Sequence, residues 1–234
     1  MAERLPLDVL PTLSVIVPVL NEAGAIVGTL GDLQAMRAAG AEVILVDGGS
    51  SDATLQLALP LVDRVITAAR GRASQMNAGA AVAGGDTILF LHADTRLPPG
   101  AHHAILQGLA TSAKAWGRFD VIIEGEQKML KLIAAMMNWR SRLTGMATGD
   151  QAIFVRRADF VAVGGFPAQA LMEDIEISRR LKRRSAPLCL AQKVRTSGRR
   201  WSTAGVWRTI VLMWHLRLLY WLGVPADKLA EKYK

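Results

Sequence analysis

Between Leu13 and Asp94, short apolar runs alternate with stretches of helical spacing. Leu13–Val17, Glu42–Val46, Val62–Thr67 and Thr87–Leu91 read as strands. Glu22–Ala39 sets Ile26, Leu30, Leu33 and Met36 on one helical face and stops at Gly40. Asp52–Leu59 reads as a short helix capped by Ser51 or Asp52, and Ser74–Ala83 as a small-residue helix able to pack close to a sheet. Apolar runs without alternation belong to strands buried on both faces, as parallel strands are. Repeated strand–helix units predict a three-layer α/β fold with a mostly parallel central sheet.

The second half changes character. Arg118–Ile123, Ala152–Arg156 and Leu188–Ala191 read as strands, and Gln127–Leu143 and the polar Glu173–Arg184 as helices, with Gly164-Gly165-Phe166-Pro167 between elements. This half is expected to add antiparallel strands, a mixed extension that walls one side of a cleft. No linker rich in Pro, Gly or Ser divides the chain, so 1–234 reads as one domain: halves 1–115 and 116–200, then a helical tail 201–234. Val206–Val224 is apolar but carries Arg208, His215 and Arg217, too interrupted for a spanning helix. Trp207, Trp214, Tyr220 and Trp221 line it, so it either packs on the body of the protein or contacts a membrane surface or partner. Lys128–Leu143 carries Met129, Leu132, Ile133, Met136, Met137 and Trp139, which suits ordinary core better than a ligand wall.

Composition adds limits. Hydrophobic residues make up 51% of the 234, enough for a large core. The one cysteine, Cys189, excludes an internal disulfide framework and, within Pro187–Leu190, reads as a buried inert thiol; this fits a reducing, cytoplasmic setting. Met1 to Pro11 holds Glu3 and Asp8 without a long apolar core and does not read as a secretory signal. The net charge of +8 is weighted toward Arg156-Arg157, Arg179-Arg180, Lys182-Arg183-Arg184 and Arg199-Arg200. Such clusters suit a diphosphate, an anionic membrane or simply a solvated helix face. No aromatic residues alternate with them and no nucleic-acid motif is present, so nucleic acid is not an expected partner.

Polar groups gather where strands end. Asp47 closes the second strand before Gly48-Gly49, and its carboxylate suits either a turn or a hydrogen bond from a nucleobase or ribose. Asp94 follows the fourth strand, where a carboxylate forms a turn or holds Mg²⁺ or Mn²⁺ together with substrate phosphates. His92, two residues earlier, faces a phosphate, a metal or the sheet. Arg70-Gly71-Arg72 precedes Gln75, Asn77 and Gly79; Arg72 suits a phosphate or a solvated loop. Glu173-Asp174 opens a polar helix, where the dipole favours carboxylates and helps keep a base ionised. Gly149-Asp150-Gln151 shapes either a turn or the wall of a site. Ligands of parallel sheets bind beyond the carboxyl ends of the strands, so these groups are expected on one rim.

In order and spacing, Val15–Glu22, Val46–Asp52, His92-Ala93-Asp94 and Glu173-Asp174 resemble family-2 glycosyltransferases of GT-A fold, over roughly 12–200. Gly71–Gly79 and Thr148–Phe154 are similar to a small bacterial subgroup, some of whose members are associated with arsenosugar biosynthesis. The resemblance implies a Rossmann-like three-layer sandwich, with 1–115 as nucleotide-binding half and 116–200 as acceptor half. It implies that Pro18, Asn21 and Glu22 form the loop beneath the nucleoside, that Asp47 contacts the base, and that Asp94 is the last acid of a DxD metal motif whose first position is His92 here. It implies Asp174 as catalytic base beside Glu173, a nucleotide-sugar donor, an unspecified acceptor, Mn²⁺ or Mg²⁺, and an inverting displacement. Arg199-Arg200-Trp201 is similar to the late Arg-Trp element of processive members, without the accompanying Gln in register, so processivity is not expected. The expected setting is cytoplasmic, with 206–224 either in contact with the inner face of the membrane or packed on the body of the protein. The rival readings are a non-catalytic nucleotide-binding or membrane-docking module, and a nucleotidyltransferase, whose glycine-rich loop after strand one has no counterpart before Gly24.

Overall fold

The computed structural model describes residues 12–233, without the side chains of Arg200, Ser202 and Ala204. The reading of Met1 to Pro11 and the side chain of Arg200 therefore lie outside the described residues. The first half runs β1 (Leu13–Val19), α1 (Ile26–Ala38), β2 (Glu42–Asp47), α2 (Thr54–Ala58), β3 (Arg64–Thr67), α3 (Arg72–Val82) and β4 (Thr87–Phe90). The second half runs β5 (Thr95–Arg96), α4 (Ala101–Ala110), β6 (Trp116–Glu124), α5 (Lys128–Thr144), β7 (Phe154–Arg156), α6 (Arg157–Ala162), α7 (Glu173–Lys182) and β8 (Leu188–Ser197). Helices α8 (Arg199–Ala204), α9 (Val206–Trp221) and α10 (Ala226–Tyr233) follow.

One eight-stranded sheet takes the order β3-β2-β1-β4-β7-β6-β8-β5. β1 to β4 are parallel; β7 is antiparallel to both β4 and β6, β8 is parallel to β6, and β5 is antiparallel to β8. The expected parallel half with a mixed extension is thus present. Successive strand residues face opposite sides and both sides are covered. Val15, Val17 and Val19 join α1 through Ile26, Leu30 and Leu33, while Ile16, Ile44 and Val46 join α3 through Ala73 and Met76. α3 lies so near the sheet that a Cβ on Gly79 would come within 2.5 Å of the Ile16 side chain, so its small residues set the approach.

Several boundaries differ from the sequence reading. α1 starts at Ile26, not Glu22, because Asn21 is left-handed (φ 54) and the N–H groups of Glu22 and Ala23 are taken by Thr54 Oγ1 and Asp52 Oδ2. β7 starts at Phe154, since Ala152 (φ 48) closes the single turn Gly149–Gln151. β8 runs past Ala191 to Ser197 beside β6, and β5 and α4 had no predicted counterpart. Cys189 lies on β8 half-buried, not sealed in the core. Arg179 and Arg180 both pair with Glu176, and Arg184 with Asp159, so part of the basic cluster is internally balanced.

Candidate active site

Because β2, β1 and β4 are adjacent and parallel, their carboxyl ends share one edge. Asp47, the end of β2, is only 2% exposed, and its oxygens accept the N–H groups of Gly49 (2.9 Å) and Ser50 (3.1 Å). Gly49 takes φ +94, which a side chain disfavours. The carboxylate therefore orders its own turn. That turn is joined to the loop after β1: the Asn21 N–H donates to Ser50 Oγ (2.9 Å) and the Ser51 N–H to Asn21 Oδ1 (2.8 Å). Pro18 is a buried residue within β1, ahead of that loop. Glu22 carries the loop toward Asp94, because both carboxylates face Arg199: Nη2 lies 3.0 Å from Glu22 Oε2 and 3.6 Å from Asp94 Oδ2.

Arg199 arrives there through the pairing of β5 with β8. β5 begins one residue after Asp94, Thr95 and Thr196 join through their buried hydroxyls (3.1 Å), and the Ser197 N–H donates to the Asp94 carbonyl (3.2 Å). The chain leaving β8 thereby lays Arg199 over Asp94. Its neighbour Trp201 is partly buried against the core, and Arg200 contributes no described side chain.

On the other side of Asp94, His92 meets the second half of the chain. β7 runs antiparallel to β4, so the turn before β7 lies at the carboxyl end of β4. His92, its side chain 12% exposed, sets Nδ1 3.4 Å from Asp150 Oδ1. A Cβ on Gly149 would come within 2.3 Å of the ring, so glycine is what lets His92 rest on this turn. The same Gly149 donates its N–H to Asp174 Oδ2 (3.1 Å), and Asp174 Oδ1 accepts the Ile175 N–H (2.8 Å).

Glu173 and Asp174 open α7 behind Met172, which is left-handed (φ 64). Burial, foremost, raises the pKa of Asp174; the N–H groups of Gly149 and Ile175 oppose this, Asp150 adds to it and His92 counters it. Burial and the neighbouring Asp174 likewise raise Glu173, against Arg72 and His92. Arg72, exposed at the start of α3 in the first half of the chain, thus reaches Glu173 electrostatically. Arg140 of α5, which the sequence reading passed over, lies within electrostatic range of Asp174; burial lowers its pKa, and its Nε and Nη2 have no hydrogen-bond partner among the described residues. Its signal was faint, one arginine among the cations of an amphipathic helix. Arg199 was visible only as the residue before the Arg-Trp pair.

Contacts along the sheet edge thus link Asp47, Asn21, Glu22, Arg199 and Asp94 in one series and His92, Asp150 and Asp174 through the Gly149 turn in another, the two joined by the His92-Ala93-Asp94 backbone. A groove of about 680 Å³ between α1 and Arg96–His103 is lined by none of them.

A mostly parallel sheet extended by antiparallel strands, with carboxylates collected at its edge, defines a GT-A fold. The sequence pattern of glycosyl transferase family 2 matches residues 14–162, and the chain belongs to that family. Among solved structures, TarS 1–349 of S. aureus in complex with UDP-GlcNAc is 18% identical with a TM-score of 0.63, over 80% of this chain and 58% of that one. Glucosyl-3-phosphoglycerate synthase of Mycobacterium tuberculosis, in complex with Mn²⁺, UDP and glucosyl-3-phosphoglycerate, is 19% identical with a TM-score of 0.61, over 78% and 70%. Mannosyltransferase PcManGT of Pyrobaculum calidifontis, in complex with GDP-Man and Mn²⁺, is 20% identical with a TM-score of 0.56, over 82% and 60%. The chain spans about 60% of the length of the TarS 1–349 structures it matches. No curated protein sequence matches it.

Proposed function

We propose that this protein transfers a sugar from a nucleotide-sugar donor to an acceptor hydroxyl, inverting the anomeric centre. The observation that carries the reading is Asp174, a desolvated carboxylate tied by the Gly149 N–H to the turn on which His92 rests, two residues from Asp94. One short segment thereby fixes the spacing between a base and a donor-side acid. The bound UDP-sugar and GDP-sugar complexes of the structural neighbours support the donor class.

The donor's nucleoside lies over the joined loops of Asn21, Glu22 and Asp47. Arg72 and Arg199 are exposed cations at either side of the edge and receive its diphosphate. The donor set suits Mn²⁺ or Mg²⁺: the Asp94 side chain is 29% exposed and faces an exposed guanidinium, and these hard cations bind through one or two carboxylates plus substrate phosphate. The neighbours' Mn²⁺ and Mg²⁺ complexes agree. Asp94 would hold the cation, which when bound offsets charge on the departing nucleoside diphosphate. His92 and Asp150 fix the turn that aims Asp174. The acceptor oxygen forms its bond to the anomeric carbon from the face opposite the diphosphate while its proton passes to Asp174. The carbon–oxygen bond to the diphosphate breaks, and its electron pair leaves with the nucleotide. Burial makes Asp174 a stronger base than an exposed carboxylate.

Incubation with UDP- and GDP-sugars and Mn²⁺, with products read by mass spectrometry, tests the reading. The wild type should release nucleoside diphosphate and transfer or hydrolyse the sugar. Asp174→Asn should lose this by a factor of about 10² or more while keeping donor-dependent thermal stabilisation. Full turnover in Asp174→Asn would remove Asp174 as base, and nucleotidyl products would replace the reaction class.

A further inference from the structure

Helix α9 has two apolar faces. The inner one buries Thr209 and Leu216 and packs Leu212, Met213 and Leu219 against Leu171 and Met172. On the outer one, Trp207, Val211, Trp214, Leu218, Trp221 and Leu222 are 59% to 80% exposed. At about 100° per residue these six fall within roughly a third of the helix circumference, opposite Leu216. Arg208 and His215 flank the stripe on one side and Arg217 on the other, and α9 contains no carboxylate. α5, whose Leu130 lies against Gly198 just ahead of α8, repeats the build. Its Leu132, Met136, Trp139 and Leu143 are 49% to 67% exposed, with Lys128, Lys131 and Arg142 beside them and again no carboxylate. Of the α5 residues expected as ordinary core, Ile133 is buried and Met137 packs partly against the core, while Leu132, Met136 and Trp139 are exposed.

We propose that the outer face of α9 docks on an anionic lipid bilayer, lying in the headgroup plane with its tryptophans among the upper acyl chains. No helix among the described residues is long and apolar enough to span, so the mode is surface attachment. Charge selects lipid over a second copy of the chain. Two copies paired through this face would oppose Arg208, His215 and Arg217 to one another, with no carboxylate on the helix to receive them and +8 on each molecule. Acidic headgroups supply the missing counter-charge, and tryptophan with flanking arginine suits the lipid–water boundary. The inner face of α9 rests on Met172, the residue before Glu173, so attachment would bring the acid pair near the membrane surface.

Co-sedimentation of the full chain with phosphatidylcholine vesicles, with and without phosphatidylglycerol, tests the proposal. Binding should appear with the anionic lipid, weaken as salt rises, and shift tryptophan emission to the blue. Trp207→Ser/Trp214→Ser/Trp221→Ser should weaken binding by about tenfold or more. Arg208→Glu, which leaves the apolar stripe whole, should weaken it by more than about fivefold: one basic residue near an anionic surface is worth about that much, and the new carboxylate adds repulsion. Circular dichroism confirms that both variants fold, and nucleoside diphosphate release should be unchanged in both. No binding to anionic vesicles, or equal binding by the wild type and Arg208→Glu, overturns the proposal. A concentration-dependent dimer that the triple variant abolishes would overturn it in favour of a second copy.

Discussion

Gln75 offers a direct test of whether the Arg70–Gly79 segment serves architecture or ligand. It is 4% exposed on α3, and its Nε2 donates to the carbonyls of Val19 and Val46, both at 2.8 Å. These carbonyls stand at the carboxyl ends of β1 and β2, where the loops of the site begin. Gln75→Leu keeps the approximate volume and removes both bonds. Each neutral hydrogen bond contributes about 1 kcal/mol net, so about 2 kcal/mol is lost, and more where a carbonyl stays dry and unpaired. Val19 O keeps the Gly48 N–H at 3.0 Å, which limits the penalty on that side. Gln75→Glu should cost more at neutral pH, because a buried carboxylate would face two carbonyls. Burial and those carbonyls would raise the pKa of the introduced acid, so the loss should be small below the ordinary carboxylate range and grow as pH rises through the folded-state value. Urea unfolding followed by circular dichroism reads both effects as a fall in midpoint at constant slope. A Leu variant within about 0.5 kcal/mol of wild type that has nonetheless lost nucleotide binding would refute the architectural role.

Two further outcomes follow from the charges at the sheet edge. The pKa of Asp174 is raised in the fold above its ordinary value of 3.8, so its ionisation opposes folding: the penalty is absent below 3.8 and complete once pH passes the folded-state value. Asp174→Asn should therefore raise the melting temperature at neutral pH and leave it unchanged in acid; equal shifts at both would contradict the burial argument. Arg199→Ala removes the cation facing Asp94, and since an exposed ion pair contributes at most about 1 kcal/mol, apparent Mn²⁺ affinity by electron paramagnetic resonance should tighten by up to about fivefold. Unchanged or weaker Mn²⁺ binding would mean that Arg199 does not compete for that carboxylate.

The parallel half of the fold was legible because strands covered on both sides leave unbroken apolar runs, as in Leu13–Val17 and Val43–Val46. β8 breaks that rule. Gln192, Lys193 and Arg195 are exposed, and only Val194 and Thr196 mark a buried face, so its last six residues read as loop. Two-residue β5 has no periodicity to detect and exists through pairing alone. The start of α1 was misplaced for a related reason: helical spacing shows which side chains share a face, while backbone donors captured by a distant loop leave no trace in that pattern.

The site divides along the same line. Strand-end acids and the acid pair of α7 were legible because position in a repeat fixes where they point. Their coupling was not, because it runs through the backbone N–H of Gly149 and the packing of a ring against a missing Cβ. That coupling also gives His92 a physical role. Asp94, Asp150, Glu173 and Asp174 already collect four carboxylates near this edge, and Asp150 and Asp174 each disfavour ionisation of a neighbour within the acid pair. An acid at position 92 would add a fifth negative charge beside Asp174, whose ionisation burial already opposes. Histidine instead favours the charged forms of both Glu173 and Asp174 while keeping a nitrogen toward Asp150. In the sugar transfer proposed above, position 92 would then support the base, with Asp94 left as the donor-side acid of its loop.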